Sequence, residues 1–123
     1  MFVYRLLLSV WIFVLLAPAA ALADGNQLLT ACQQAEQQLN GERSIGLFSA
    51  GYCMGVAEAV RDTMREFSDS VPASARACFP VGGPNNAQAI RVILKYLRAT
   101  PEKLHLSSTE LTMFAYFSAF ECK

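Results

Sequence analysis

The sequence is short of nearly everything that marks an enzyme. It has one histidine, His105, set between Leu104 and Leu106 near the start of a helical pattern. No nucleophile with an orienting partner is arranged around it, so a structural, hydrogen-bonded histidine is the reading. No G-x-S-x-G occurs, which excludes the nucleophile elbow of the α/β hydrolases. The H-E-x-x-H and EF-hand patterns are missing too. Without a C-x-x-C pair, neither a zinc ribbon nor a thioredoxin-like redox centre is indicated. Gly82-Gly83-Pro84-Asn85 leads into a helix but lacks the Lys and Ser/Thr of a phosphate loop, and reads as a turn followed by a cap. Neither catalytic residues nor a metal site nor a cofactor is expected. These absences point to a binding module rather than an enzyme.

An excess of one charge is also lacking. Ten basic residues balance ten acidic ones. A near-neutral chain has no electrostatic footprint for nucleic acid and no Lys/Arg cluster for anionic lipid. Partners must be found by shape and local charge. Internal repeats, low-complexity stretches and alternating strand-like patterns are absent as well, and an all-α fold is expected.

A short hydrophobic run opens the chain. Arg5 precedes the apolar stretch Leu6 to Leu16, and Ala17-Pro18-Ala19-Ala20-Ala21-Leu22-Ala23 closes it. A basic start, an apolar core and an Ala-x-Ala end are the parts of a secretory signal, with cleavage expected after Ala23. The run falls short of the roughly 20 residues of a membrane span. The expected organisation is a signal peptide over residues 1–23 and one domain over residues 24–123, working in the periplasm.

All four cysteines, Cys32, Cys53, Cys78 and Cys122, lie in that domain. An even count in a small exported domain reads as a disulfide framework. Three connectivities are possible. The preferred one joins Cys53 to Cys78, pinning a loop to the second helix, and Cys32 to Cys122, tying the two ends.

Periodicity marks four helices. The first runs from about Gly25 to Asn40, with Leu28, Leu29, Cys32, Ala35 and Leu39 on one face and Asn40-Gly41 as the stop. The second spans Ser44 to Phe67 with an apolar stripe of Ile45, Phe48, Tyr52, Val56, Val60, Met64 and Phe67. Glu58 with Arg61, and Asp62 with Arg65, are opposite-charge pairs at i, i+3. Gly51 and Gly55, with Ala59, recur every fourth residue and suggest that another backbone approaches there. Ser68 to Pro84, rich in Pro, Gly and Ser, is a loop. The third helix starts at Asn85 or Asn86, buries Ile90, Ile93, Leu94 and Leu97, and stops before Pro101. The fourth opens on the capping box Ser107-x-x-Glu110. Leu111, Phe114, Ala115, Phe117, Ser118 and Phe120 then carry it to Cys122.

These residues carry a family resemblance. Gly51-Tyr52-Cys53-x-Gly55-x-Ala57, a cysteine followed by Pro80, Leu94-Lys95-Tyr96-Leu97 leading to Pro101-Glu102-x-Leu104-His105, and Ala119-Phe120-x-Cys122 follow in that order. The chain resembles the Rap/Tai-type immunity proteins linked to type VI secretion, over about Leu28 to Cys122. The resemblance implies a small helical periplasmic protein, often a dimer. Such a protein binds a secreted effector toxin, in some cases a peptidoglycan amidase, and occludes it without catalytic residues of its own. It also implies that Tyr52 and Tyr96 place polar tips at partners, and that Glu102 and His105 organise the connection into the last helix. A second reading is a periplasmic helical chaperone of acid-stress type, unfolding as carboxylates are protonated.

Exposed loops on a rigid scaffold are common recognition elements. The partner-binding surface is therefore expected at the Ser68 to Asn85 loop and the adjoining end of the second helix. Arg65 and Arg76 stand at its rim with Asp69, and Val71, Phe79 and Val81 anchor it with Phe67.

Overall fold

Asp24 starts the first helix. Its side chain accepts the backbone N–H of Gln27 at 3.1 Å, which satisfies one of the free donors of the first turn. That bond holds the Asp24 carboxyl below the usual carboxylate range. This computed structural model describes residues 23–43 and 46–123, and within them helix α1 runs Gly25–Leu39. The expected signal peptide, Ala23 excepted, lies outside the described residues, as do Ser44 and Ile45 of the second helix. Helix α1 stops where Gly41 takes φ +74°. Gly41 N–H donates to Gln38 O and Glu42 N–H to Gln37 O, the paired bonds of a Schellman end.

Helices α2 (Leu47–Glu66), α3 (Asn86–Ala99) and α4 (Ser108–Ala119) complete the all-α domain, with short 3₁₀ turns at Ser68–Ser70, Ala73–Ala75 and Pro101–Lys103. Asn85 caps α3 through the N–H of Gln88, and Ser107 caps α4 through the N–H of Glu110. Ile90, Ile93, Leu94 and Leu97 of α3 are fully buried, as their spacing predicts.

The second helix corrects its predicted face. Its buried line is Ala50, Cys53, Ala57 and Val60. Phe48 is 92% exposed and Phe67 59% exposed, while Tyr52, Val56 and Met64 sit half-buried on the flank. The helix is turned by about one residue from the stripe that bulk suggested. Helix α1 presents Leu28, Ala31, Cys32 and Ala35 to it. Small residues on both faces bring the backbones together, and the two central cysteines meet there.

The disulfide pairing is corrected by the same fact. Cys32 joins Cys53 with its Cα at 5.0 Å, and Cys78 joins Cys122, also at 5.0 Å. The preferred Cys53–Cys78 and Cys32–Cys122 pairs do not form, because Cys53 faces α1 and not the loop. Gly51 and Gly55 are corrected too. Both are exposed, with nothing within 4 Å of where a side chain would start. The close approach falls instead at Gly25, where a side chain would overlap Leu111 and the backbone of Leu104.

Helix α4 buries Leu111, Thr112, Ala115 and Tyr116, leaving Ser118 exposed and Phe114 36% exposed. Tyr116 is 0% exposed, and its hydroxyl donates to Ala57 O at 2.7 Å. Tyr52 donates to Ser108 Oγ at 2.8 Å. Ser108 Oγ in turn lies 3.0 Å from Ala23 O and 3.1 Å from Asp24 O. With Ser108 N–H on Ala23 O, this relay ties the start of the domain to α4. Tyr96 accepts from Lys103 at 3.3 Å. Among the described residues Glu102 and His105 are exposed and make no side-chain hydrogen bond. The connection between α3 and α4 rests instead on backbone bonds and on the side chains of Lys103, Thr100, which donates to Tyr96 O, and Asn26, which donates to Leu104 O.

Burial pushes the Tyr116 hydroxyl up to about 12, against a small opposing pull from Arg61. The unfolded chain ionises tyrosine near pH ~10. Between those values the native state keeps a proton that the unfolded state has lost, so stability is full below about pH 10 and falls as pH rises toward 12. Denaturant titrations at pH 9, 10 and 11 should show that decline, with a shallower one in Tyr116→Phe. The variant itself costs about 1 kcal/mol at neutral pH, the worth of one hydrogen bond.

Candidate partner-binding surface

The long connection from α2 to α3 is built to be rigid. Arg76 folds back and its Nε donates to Val71 O at 2.7 Å. The chain then runs against its own C-terminus. Ala77 bridges Glu121, Cys78 N–H donates to Phe120 O at 2.7 Å, and Cys78 is bonded to Cys122. Phe79 turns inward and meets Tyr116 edge-on at 5.3 Å between ring centres, with Phe120 at 5.1 Å. It is the floor of the loop and part of the seal over the core.

A tight turn follows. Gly83 N–H donates to Pro80 O at 2.7 Å while Gly82 takes φ +84°. A turn of this form needs a left-handed third residue, and glycine provides it without strain. The turn lifts Val81 clear of the surface, where it is fully exposed.

A cleft of about 440 Å³ opens between this turn and the end of α2, lined by Arg65, Ser68, Arg76, Phe79, Pro80 and Val81 among others. Arg65, Arg76, Phe79 and Val81, four of the five contacts expected there, thus share one cleft, while the flanking Phe67 and Asp69 are exposed. The fifth, Val71, is half-buried and held at its edge by Arg76. Arg76 also lines a second cleft of about 480 Å³ with Ala73, Phe114, Phe117 and Glu121. The staple Cys78–Cys122 stands between the two, since Cys78 lines the first and Cys122 the second.

The arginines at this end divide into two kinds. Arg61 is committed: its guanidinium bonds Asp62 at 2.9 Å, Pro84 O at 3.1 Å and Asn86 Oδ1 at 3.3 Å, with Glu58 at 3.9 Å. The bond to Asp62 raises its pKa. Asp62 therefore pairs with Arg61 and not with Arg65, as the i, i+3 spacing suggested. Arg65 lies alongside Gly83, its Nη1 3.1 Å from where a side chain would begin. No carboxylate lies within ion-pairing distance of it or of Arg76.

Sequence reasoning assigned Phe48 to the core. The structure places it beside Leu47, 72% exposed, on a second apolar patch at the start of α2. The buried line of mostly small residues, Ala50, Cys53, Ala57 and Val60, sets that orientation. Among the described residues, no group of three or more His, Cys, Asp or Glu could hold a metal ion.

Residues 24–122 match the family model for Rap1a immunity proteins. The chain belongs to that family. Nothing among curated proteins or solved structures matches it. The matched span holds all four helices, both disulfides and the cleft. Family membership makes the chain an immunity protein, which acts by binding a toxin.

Proposed function

We propose that the chain is exported to the periplasm by its signal peptide. There it binds and occludes a toxin delivered by type VI secretion, such as a peptidoglycan amidase. The observation that carries the choice of surface is the stapled turn that holds Val81 fully exposed above the arginine-lined cleft. A preorganised projecting side chain loses little freedom on binding, which suits an inhibitor entering a concave active site. Arg65, Val71, Arg76, Phe79 and Val81 are the proposed contacts.

The test is capture of the toxin encoded beside this chain, followed by affinity measurements on Val81→Asp. A buried interface anchor is worth about 2 kcal/mol or more, so the variant should bind at least about thirty-fold more weakly. Its melting temperature should not move, because Val81 touches no core. An unchanged affinity removes the loop from the interface. Failure of the wild-type protein to bind or to protect cells removes the immunity reading for that toxin.

Homodimerisation is assigned to the opposite patch, where Leu47, Phe48, Gly51 and Gly55 give an open, partly apolar helix face. That placement leaves the loop free for the toxin. Phe48→Glu should sediment as a monomer where the wild type sediments as a dimer.

A further inference from the structure

We infer that the partner presents an acidic segment, an Asp or Glu side chain flanked by apolar residues, to the cleft between Arg65 and Arg76. This deepens the proposed toxin-binding reading and rests on it. The two guanidinium groups are the only charged side chains lining the cleft. Arg65 is the charge that Asp62 leaves unpaired by turning to Arg61. Among the described residues its five N–H donors make no bond, and Arg76 uses only its Nε, on Val71 O. Such a fork is the side chain best matched to a carboxylate, which it can grip with two parallel bonds.

Apart from Ser68, the other side chains lining the cleft are apolar. Phe79, Pro80 and Val81 form one wall. Once the partner covers that wall, a carboxylate seated against it is shielded from water, and its pairing with arginine strengthens as the local dielectric falls. Flanking apolar side chains on the partner would cover Val81. The chain as a whole is near neutral, so attraction is confined to this surface and fades within about 8–10 Å in physiological salt. Phosphate also suits arginine forks, but it gains nothing from the apolar wall.

The test follows the Arg65 and Arg76 Nε–Hε signals and the Val81 methyl signals by NMR in the exported, oxidised protein. The probes are acetyl-Leu-Asp-Phe-Glu-Leu-amide, the matching acetyl-Leu-Asn-Phe-Gln-Leu-amide, and inorganic phosphate. At millimolar concentration the acidic peptide should shift both arginine and methyl signals. The amide peptide should need about tenfold more, and phosphate should leave the Val81 methyls in place. Arg65→Gln should weaken the acidic peptide about tenfold while keeping the native near-UV spectrum, since Arg65 bonds nothing in the fold. Equal response to the two peptides, shifts of the Val81 methyls by phosphate, or no response to the acidic peptide overturns the inference. In each case toxin capture and the Val81→Asp result still stand or fall separately.

Discussion

Replacing Cys32 and Cys53 together by alanine should lower the stability of the domain by about 3–4 kcal/mol. For a domain near 100 residues that corresponds to a fall in melting temperature of about 15–25 °C. Both cysteines are 0% exposed, and the bridge closes a segment of sequence separation 21 that contains the turn between α1 and α2. Unfolded, that segment gains the freedom the bridge denied it. The native interface offers little to offset this. Its buried residues beside the cysteines are Ala31, Ala35, Ala50 and Ala57, with Leu28 and Val60 the larger ones on the same faces, and each alanine methyl contributes only about 0.8 kcal/mol by burial. Two helices held together by small side chains depend on their cross-link more than two helices held by leucines. Marginal stability of about 5–15 kcal/mol makes such a loss a large share of the total. Calorimetry on the oxidised wild type and the double variant checks this. A shift below about 5 °C would mean that packing alone holds the hairpin, since about 1 kcal/mol moves a domain of this size by that much.

The same small-residue interface explains where sequence reading worked and where it did not. Helix ends were legible because caps act locally: Asn40-Gly41, Asn85 and Ser107 stop and start helices through bonds to their own neighbours. The buried stripe of α3 was legible because bulky residues alone mark it. The face of α2 was not. Phe48 and Tyr52 carry more hydrophobic signal than Ala50 and Ala57, yet close approach of two backbones selects small residues. The disulfide pairing failed with that face, as Cys53 was left free to reach a loop it does not touch. Tyr116 was missed because α4 is apolar on every side, and only packing against Ala57 and Phe79 decides which residue goes in. At the proposed binding surface, the nearness of Val71, Arg76, Phe79 and Val81 was legible because all four lie in one Pro-, Gly- and Ser-rich loop that follows the end of α2, where Arg65 stands. The unpaired state of Arg65 was not legible. It depends on Arg61 reaching Pro84 and Asn86, contacts across the fold that no spacing reveals.

The second disulfide should behave differently from the first. Mild reduction of the native protein should release two thiols per chain, not four. Thiol exchange needs access to a sulfur, and Cys78 is exposed and Cys122 half-buried, whereas Cys32 and Cys53 are fully enclosed. Opening Cys78–Cys122, with a sequence separation of 44, removes about 4 kcal/mol of chain-entropy stabilisation. The helices it leaves behind still have their core and their buried bridge, so the far-UV spectrum should persist at 25 °C. The proposed function should suffer more than the fold. Without the staple the turn carrying Val81 is tied to the last residues by the Ala77–Glu121 bridge, the bond from Cys78 N–H to Phe120 O and the ring contact of Phe79 with Phe120. Ordering a freed loop on binding costs about 0.5–1.5 kcal/mol for each side chain that must be fixed again. Two such side chains, Arg76 and Val81, correspond to a loss of toxin affinity of about tenfold. The Cys78→Ser/Cys122→Ser variant should reproduce that loss in any redox buffer. If the variant binds as tightly as the wild type, the loop's shape is held by Phe79 and the glycine turn alone, and the staple serves stability and nothing else.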